Sequence, residues 1–256
     1  MFSDAHTHLV GTPFGENVLD PQEIQKVLKE DRDKGVLLMV VASHDLSSAE
    51  RVTRIAFAED GVYAAVGLHP LIATPIDDLS YRAYLNLARK PKVVAISEIG
   101  VDNIRSRASK EVQFQAFVQQ LRLCREVNLP PQLHVRGYHA EMMEALKEET
   151  PPAGIIHGFT GAVAELKGWL DLGYYVSIGR AVLGSQAQGL KAMVQQIPGD
   201  RLLLETDGPD RSRGGVLEGQ ERVVQVAQVV ASWRDTTAAE LGEVTTENLR
   251  RVLPIQ

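Results

Sequence analysis

Residues Pro21–Glu59 read PQEIQKVLKEDRDKGVLLMVVASHDLSSAERVTRIAFAE. Three segments follow one another here. Pro21–Lys34 is an amphipathic, helix-like stretch, and Asp20-Pro21 supplies an N-cap with proline at the first helical position. Gly35–Ala42 is an apolar run without alternation, as a strand buried on both faces requires. Ser47–Glu59 is helix-like again. The same unit recurs in both directions. Further apolar runs occur at Met1–His8, Val62–His69, Val93–Ile99, Pro131–Val135, Ile155–His157, Tyr174–Ile178 and Arg201–Thr206. Helix-like stretches alternate with them at Asp78–Arg89, Ser109–Val127, His139–Glu149, Ala162–Leu172 and Leu190–Gln196, and two more close the chain near Gln220–Trp233 and Thr237–Val252. Thr237–Glu240 is compatible with a capping box. Gly35, Gly61 and Gly173 fall where a helix hands over to a strand. Eight strand–helix units in 256 residues give 32 residues each, the size expected of a (β/α)8 TIM barrel, here as a single domain over residues 1–256. An open doubly wound sheet is the competing arrangement. It predicts a glycine-rich phosphate loop after the first strand, and Gly11 and Gly15 are too sparse for one.

Composition is that of a globular chain, with 44% hydrophobic and 23% charged residues. The single cysteine, Cys124, excludes an intramolecular disulfide framework and a cysteine-rich zinc site, and is expected to pack between helix and barrel. No window approaches a membrane span. The N-terminus lacks the basic-then-apolar run of a signal peptide, so a soluble, cytoplasmic protein is expected. The net charge of −6 argues against attachment to nucleic acid through the overall field, though not against a local basic rim.

A barrel carries its chemistry at the C-terminal ends of its strands. His6, His8, His69, Glu98, His134, His157 and Asp207 all fall there. In His6-Thr7-His8 the two-residue spacing turns both imidazoles the same way, so both can bind one metal ion. Glu98, in VVAISEIG, is surrounded by histidines and can bridge two ions. His134, in QLHVR, and His157, in IIHGF, can complete a second, nitrogen-rich site. Asp207, in LLLETDGPD, ends the last strand beside the first; it can bind the first ion and orient or deprotonate a bound water. His69, in VGLHP, is expected to contact substrate or support the site, the alternative being a turn-fixing role before Pro70. His44 is read as a loop histidine and His139 as solvated. Arg105, Arg107, Arg136, Arg180, Arg211 and Arg213 follow strands at the same end. They form either ordinary loop charge or a basic rim for an anionic substrate.

The elements DAHTHL, VGLHP, SEIGVD, LHVR, HGFTG and LLETDGP, in that order from first strand to last, resemble the TatD family of metal-dependent deoxyribonucleases within the amidohydrolase-like barrels. TTENLRRVL resembles that family's C-terminal helix. The resemblance implies one ion held by His6, His8, Glu98 and Asp207 and another by Glu98, His134 and His157. It also implies hydrolysis of phosphodiesters, usually of DNA from the 3′ end, with Asp207 and Glu98 catalytic and His69, Arg105 and Arg136 near phosphate. The sequence departs from the family at Gly158, Asn103, Gly208 and Asp210, and GGVLEGQERV lacks an expected asparagine–proline motif. None of these departures removes a ligand.

Mixed imidazole and carboxylate ligands suit zinc, manganese or cobalt, with exchangeable magnesium as a further option. A two-metal deoxyribonuclease with DNA as substrate is therefore the main expectation. The alternatives are a hydrolase of a small amide, ester or lactone on the same scaffold, and a non-catalytic binding module. The arginine rim favours the deoxyribonuclease. The bridging lysine of many small-substrate relatives has no counterpart, because Glu98 fills that place and Lys92 lies at the wrong strand end. Exo- versus endonuclease action and DNA versus RNA stay open, as does oligomeric state, a monomer being compatible.

Overall fold

The computed structural model describes residues 1–11, 13, 18–208, 210–211, 217–218 and 222–255, without the side chains of 210, 211, 217, 218 and 222. Among these, the strands are β1 (Phe2–Thr7), β2 (Val36–Ala42), β3 (Val62–Ala65), β4 (Val93–Asp102), β5 (Pro131–Arg136), β6 (Ile155–Ile156), β7 (Tyr175–Ile178) and β8 (Leu202–Leu204). Between them run α1 (Pro21–Asp33), α2 (Leu46–Ala58), α3 (Asp78–Ala88), α4 (Lys110–Val127), α5 (His139–Glu149), α6 (Val163–Asp171) and α7 (Lys191–Gln196). A short antiparallel pair, β9 (Asp210–Arg211) and β10 (Leu217–Glu218), precedes α8 (Arg222–Trp233) and α9 (Ala238–Val252). Arg213 lies outside the described residues, as do Gln220 and Glu221.

Local chemistry explains the helix ends. The Asp20 carboxylate accepts the N–H groups of Gln22 at 2.8 Å and Glu23 at 2.9 Å, and Glu23 Oε2 accepts the Asp20 N–H in return. Thr237 and Glu240 make the same reciprocal cap at the start of α9. Gly61 has φ +73°, and a Cβ there would lie 2.1 Å from the Leu37 carbonyl oxygen, so only glycine fits this handover into β3.

The eight strands pair in sequence order, each parallel to the next. This is the (β/α)8 barrel, nearly closed. β8 meets β1 through side chain and backbone: Thr206 donates its N–H to Asp4 Oδ1 at 3.0 Å and its hydroxyl to Asp4 Oδ2 at 2.5 Å, and the Asp207 N–H reaches the His6 carbonyl at 3.0 Å. Strand alternation sorts the apolar residues into two clusters. Met39, Val41, Ile96, Leu202 and Leu204 pack under the helices with the buried Cys124 of α4, where that cysteine was expected. Leu38, Val40, Tyr63, Ala65, Ile155, Tyr175 and Leu203 fill the barrel with Leu249 and Leu253. α9 lies across the strand starts, where Asn248 Nδ2 donates to the carbonyls of Gly199 and Leu202 at 2.8 and 2.9 Å. That end is therefore plugged by apolar side chains, and the other end is left for polar ones.

Candidate metal centre and substrate cleft

The strand ends differ from the expected boundaries in ways that matter for the site. β4 runs past Glu98 to Asp102, β3 stops at Ala65, and β8 stops at Leu204. His69 accordingly sits in the turn after β3, and Asp207 sits beyond β8 with φ +53°. Even so, His6, His8, His69, Glu98, His134, His157 and Asp207 gather at one barrel mouth. All are buried except Asp207, whose side chain is 36% exposed.

Glu98 is the hub. Its Oε2 lies 3.3 Å from His6 Nε2 and 3.2 Å from His8 Nε2. Its Oε1 lies 2.7 Å from His134 Nδ1, 2.7 Å from His157 Nε2 and 3.2 Å from His69 Nε2. His8 Nε2 is also 3.4 Å from Asp207 Oδ1 and 3.1 Å from His6 Nε2. Among the described residues, every ion pair of Glu98 is with an imidazole. Three groups of ligand atoms are compact enough to hold an ion: His6, His8 and Asp207; His6, Glu98 and His157; and His69, Glu98 and His134.

Hydrogen bonds on the far side of each ring sort these imidazoles. Asp102 Oδ2 lies 3.0 Å from His134 Nε2, and Glu205 Oε1 lies 3.3 Å from His157 Nδ1. An ionised carboxylate only accepts, so it fixes the ring proton on its own side. Glu98 Oε1 accepts on the opposite side of both rings, so each ring lies between two acceptors, and a cation that displaced the proton on the Glu98 side would meet the lone pairs of His134 Nδ1 and His157 Nε2. His69 is oriented the opposite way. Its Nδ1 accepts the Leu71 N–H at 3.0 Å, so Nε2 carries the proton and donates it to Glu98. His69 thus behaves as a donor, although distance alone groups it with potential ligands. His6 and His8 also turn Nε2 inward, and their buried Nδ1 atoms have no partner among the described residues.

Lone pairs facing a buried carboxylate demand positive charge between them. Burial would raise the Glu98 carboxyl, but the imidazoles of His69, His157 and His6 outweigh it and hold the group well below the usual range. Burial opposes charging of His8 as well, yet its hydrogen bonds to Asp207 and Glu98 push it up to about 10. His157 is pushed well above its ordinary value against burial by Glu98 and Glu205. Asp207 is held below the carboxylate range, despite burial, by the His8 bond and by His157. His69, by contrast, is lowered by burial to about 4 and stays neutral. Two places in the cluster therefore draw a positive charge. The nitrogen and oxygen donors there suit divalent cations as well as protons.

Beside Asp207 opens a cavity of about 300 Å³ lined by Arg105, Arg136, Arg180, Phe159, Glu205 and Asp207. Arg136 is the last residue of β5 and Arg180 opens the turn after β7. Arg107 is exposed and does not line the cavity. Arg211 lies on β9, but its side chain is not described. His44 is buried near the mouth, and its carbonyl accepts the His69 N–H at 2.9 Å. Lys92 reaches the Glu59 carbonyl at the opposite strand end. His139 corrects the expectation of a solvated side chain. It is packed against Trp169, whose indole N–H donates to His139 Nδ1 at 3.1 Å.

Asp102 and Glu205 were not among the residues singled out from sequence. Both are fully buried, and Glu205 Oε2 has no partner among the described residues. For Asp102 a local signal exists, since it stands four residues after Glu98 on β4; for Glu205, past the end of β8, none does.

The profile described as TatD related DNase matches residues 3–254. An uncharacterized metal-dependent hydrolase, YabD, of Bacillus subtilis is 31% identical over 100% of both chains. The 3′-5′ ssDNA/RNA exonuclease TatD of Pantoea vagans is 34% identical over 96% of this chain and 97% of its own. The crystal structure of YjjV, a TatD homologue from Escherichia coli, superposes with TM-score 0.88 at 27% identity, covering 100% of this chain and 98% of the other.

Proposed function

Since the chain belongs to the TatD related DNase family, we propose that it is a divalent-metal-dependent phosphodiester hydrolase that removes nucleotides from the 3′ end of a DNA strand. The observation that carries this reading is the division of imidazoles between the two oxygens of Glu98. Glu98 Oε2 with His6, His8 and Asp207 would hold one ion, and Glu98 Oε1 with His134 and His157 the other. Zinc, manganese and magnesium are the candidates. Two such ions supply an activated water and a stabilised leaving oxygen.

The chain's own residues do the rest. Asp207, ionised and partly exposed at the mouth, accepts the proton of the attacking water. The water oxygen bonds to phosphorus while the bond to the upstream 3′ oxygen breaks; that oxygen takes up a proton from solvent and becomes the 3′-hydroxyl of the shortened strand, and a nucleoside 5′-phosphate leaves. His69, a neutral donor, contacts the substrate by moving its Nε2–H hydrogen bond from Glu98 Oε1 to an anionic oxygen. Arg105 and Arg136 bind phosphate from the cavity wall. Among the described residues no helix is long and apolar enough to cross a membrane.

The test is hydrolysis of end-labelled single-stranded DNA, single-stranded RNA and a panel of small esters by metal-stripped protein supplied with magnesium, manganese or zinc in turn. Single nucleotides should leave from the 3′ end, and Asp207→Asn should lower the rate by about 10²–10⁴ at saturating metal. Turnover of esters with no action on either strand would replace this reading.

A further inference from the structure

Asp102 joins His134 to the loop that carries Arg105. It is the last residue of β4 and is 0% exposed. Oδ1 accepts the backbone N–H groups of Ile104 at 2.8 Å and Arg105 at 2.7 Å. Oδ2 lies 3.0 Å from His134 Nε2 and 3.4 Å from Arg105 Nε. Its own N–H donates to Gln113 Oε1 at 2.8 Å, and Gln113 Nε2 donates to the Ala108 carbonyl at 3.0 Å, which ties the loop to α4. One carboxylate thus holds both a histidine facing Glu98 and the loop that presents Arg105 to the cavity and Ile104, 75% exposed, to solvent.

We propose that Asp102 is a positioning residue that sets the metal-facing nitrogen of His134 and, with its other oxygen, fixes the Ile104–Arg105 loop for the substrate strand. The inference rests on the metal-dependent nuclease reading above. A buried carboxylate accepts but cannot donate, so Asp102 keeps a proton on His134 Nε2 whatever occupies the Glu98 side of the ring. Nδ1, 2.7 Å from Glu98 Oε1, is then the nitrogen that can exchange a proton for an ion beside the shared carboxylate. The same carboxylate satisfies two backbone donors in a loop that would otherwise have to find water for them. Without it, Arg105 keeps its charge but loses its fixed place.

Two substitutions separate the two duties. In Asp102→Asn the amide oxygen can still accept the two loop N–H groups, but the amide nitrogen points a donor at His134 Nε2–H. The ring is then driven to its other tautomer, with the lone pair turned away from Glu98. Asp102→Ala removes both duties. The readouts are titration calorimetry of manganese and zinc into metal-stripped protein, nitrogen-15 spectra of the histidine rings, and anisotropy of a labelled single-stranded oligonucleotide across a range of salt. Asp102→Asn should lose about 10–100-fold in metal affinity and move the His134 proton to Nδ1, with strand binding within about twofold of wild type. Asp102→Ala should lose metal affinity and strand binding together, its log–log salt slope flattening by about 0.7, as for Arg105→Ala. The proposal is overturned if Asp102→Asn keeps wild-type metal affinity and the Nε2 proton, or if Asp102→Ala binds the strand as wild type does. Should wild type bind neither ion, the metal-dependent reading falls, and the His134 tautomer still decides the role of Asp102.

Discussion

Leu249 and Glu98 are buried inside the same barrel, at 0% and 2% exposure, and they stand at its two ends. Around Leu249 the neighbours are apolar: Leu38, Val40, Leu203 and Leu253. Burial there is favourable in itself, at about 25 cal/mol per Å² of apolar surface removed from water. Around Glu98 the neighbours are five imidazoles, and burial is costly until positive charge enters. The barrel thus divides its work along its axis. The plugged end supplies stability and carries no chemistry. The open end concentrates charge that only a bound cation or proton balances, and there the strand ends can reach substrate.

The hardest test of that division is Glu98→Ala. Turnover should fall about a thousandfold or more, the several kcal/mol expected of two ions losing their shared ligand. The melting temperature of metal-stripped protein should fall modestly, because the imidazoles hold Glu98 ionised and its loss takes a carboxylate partner from His8 and His157, which can shed their protons. A large loss of stability in Glu98→Ala would mean that the mouth also holds the fold together. Leu249→Ala should do the reverse. It should cost about 3 kcal/mol through lost burial and a residual cavity. At 20 °C, kcat and metal affinity should match wild type. Calorimetric melting alongside steady-state kinetics reads both sides of the comparison.

The sequence made the two ends unequally legible. The barrel itself was readable, because each βα unit carries its own short-range signals: the Asp20 cap, the unbroken run of β2, the positive φ of Gly61. The inner set of the mouth was readable for the same reason. His-x-His at a strand end points both rings one way, and Glu98, His134, His157 and Asp207 lie on or just past apolar runs that read as strands. What stayed hidden depends on pairs far apart in the chain. Asp102 meets His134 across 32 residues and Glu205 meets His157 across 48, and neither separation leaves a local trace. His139 looked solvated because the ring that covers it, Trp169, is 30 residues away. The direction of the His69 ring is set by a turn that periodicity could not specify, and the bounds of β3, β4 and β8 moved because ladder pairing, not propensity, ends a strand.

A buried charge away from the mouth sharpens the comparison, with a smaller effect. Asp31 of α1 is 1% exposed, its Oδ2 has no partner among the described residues, and Asp4 of β1 repels it. Burial, with Asp4 and Glu30 adding to it, raises the Asp31 carboxyl from 3.8 to about 8, and burial raises Asp4 to about 7. The unfolded chain loses the Asp31 proton near pH 4, whereas the folded chain keeps it up to about 8. The folded form therefore binds the extra proton between those values, and its stability declines as pH rises through that window. Asparagine cannot ionise, so Asp31→Asn should melt close to wild type at pH 5 and above it at pH 8.5, by about 1–3 kcal/mol, the usual scale for an unsatisfied buried polar group. The pH dependence should shrink without vanishing, because Asp4 still titrates. Melting is compared in metal-stripped protein, so that pH-dependent ion binding does not contribute and the His8 titration, common to both proteins, cancels. Turnover with metal restored should not change. If Asp31→Asn instead lowered stability equally at both pH values, the Asp31 carboxyl would be a satisfied structural group, and uncompensated burial of charge would be confined to the catalytic end.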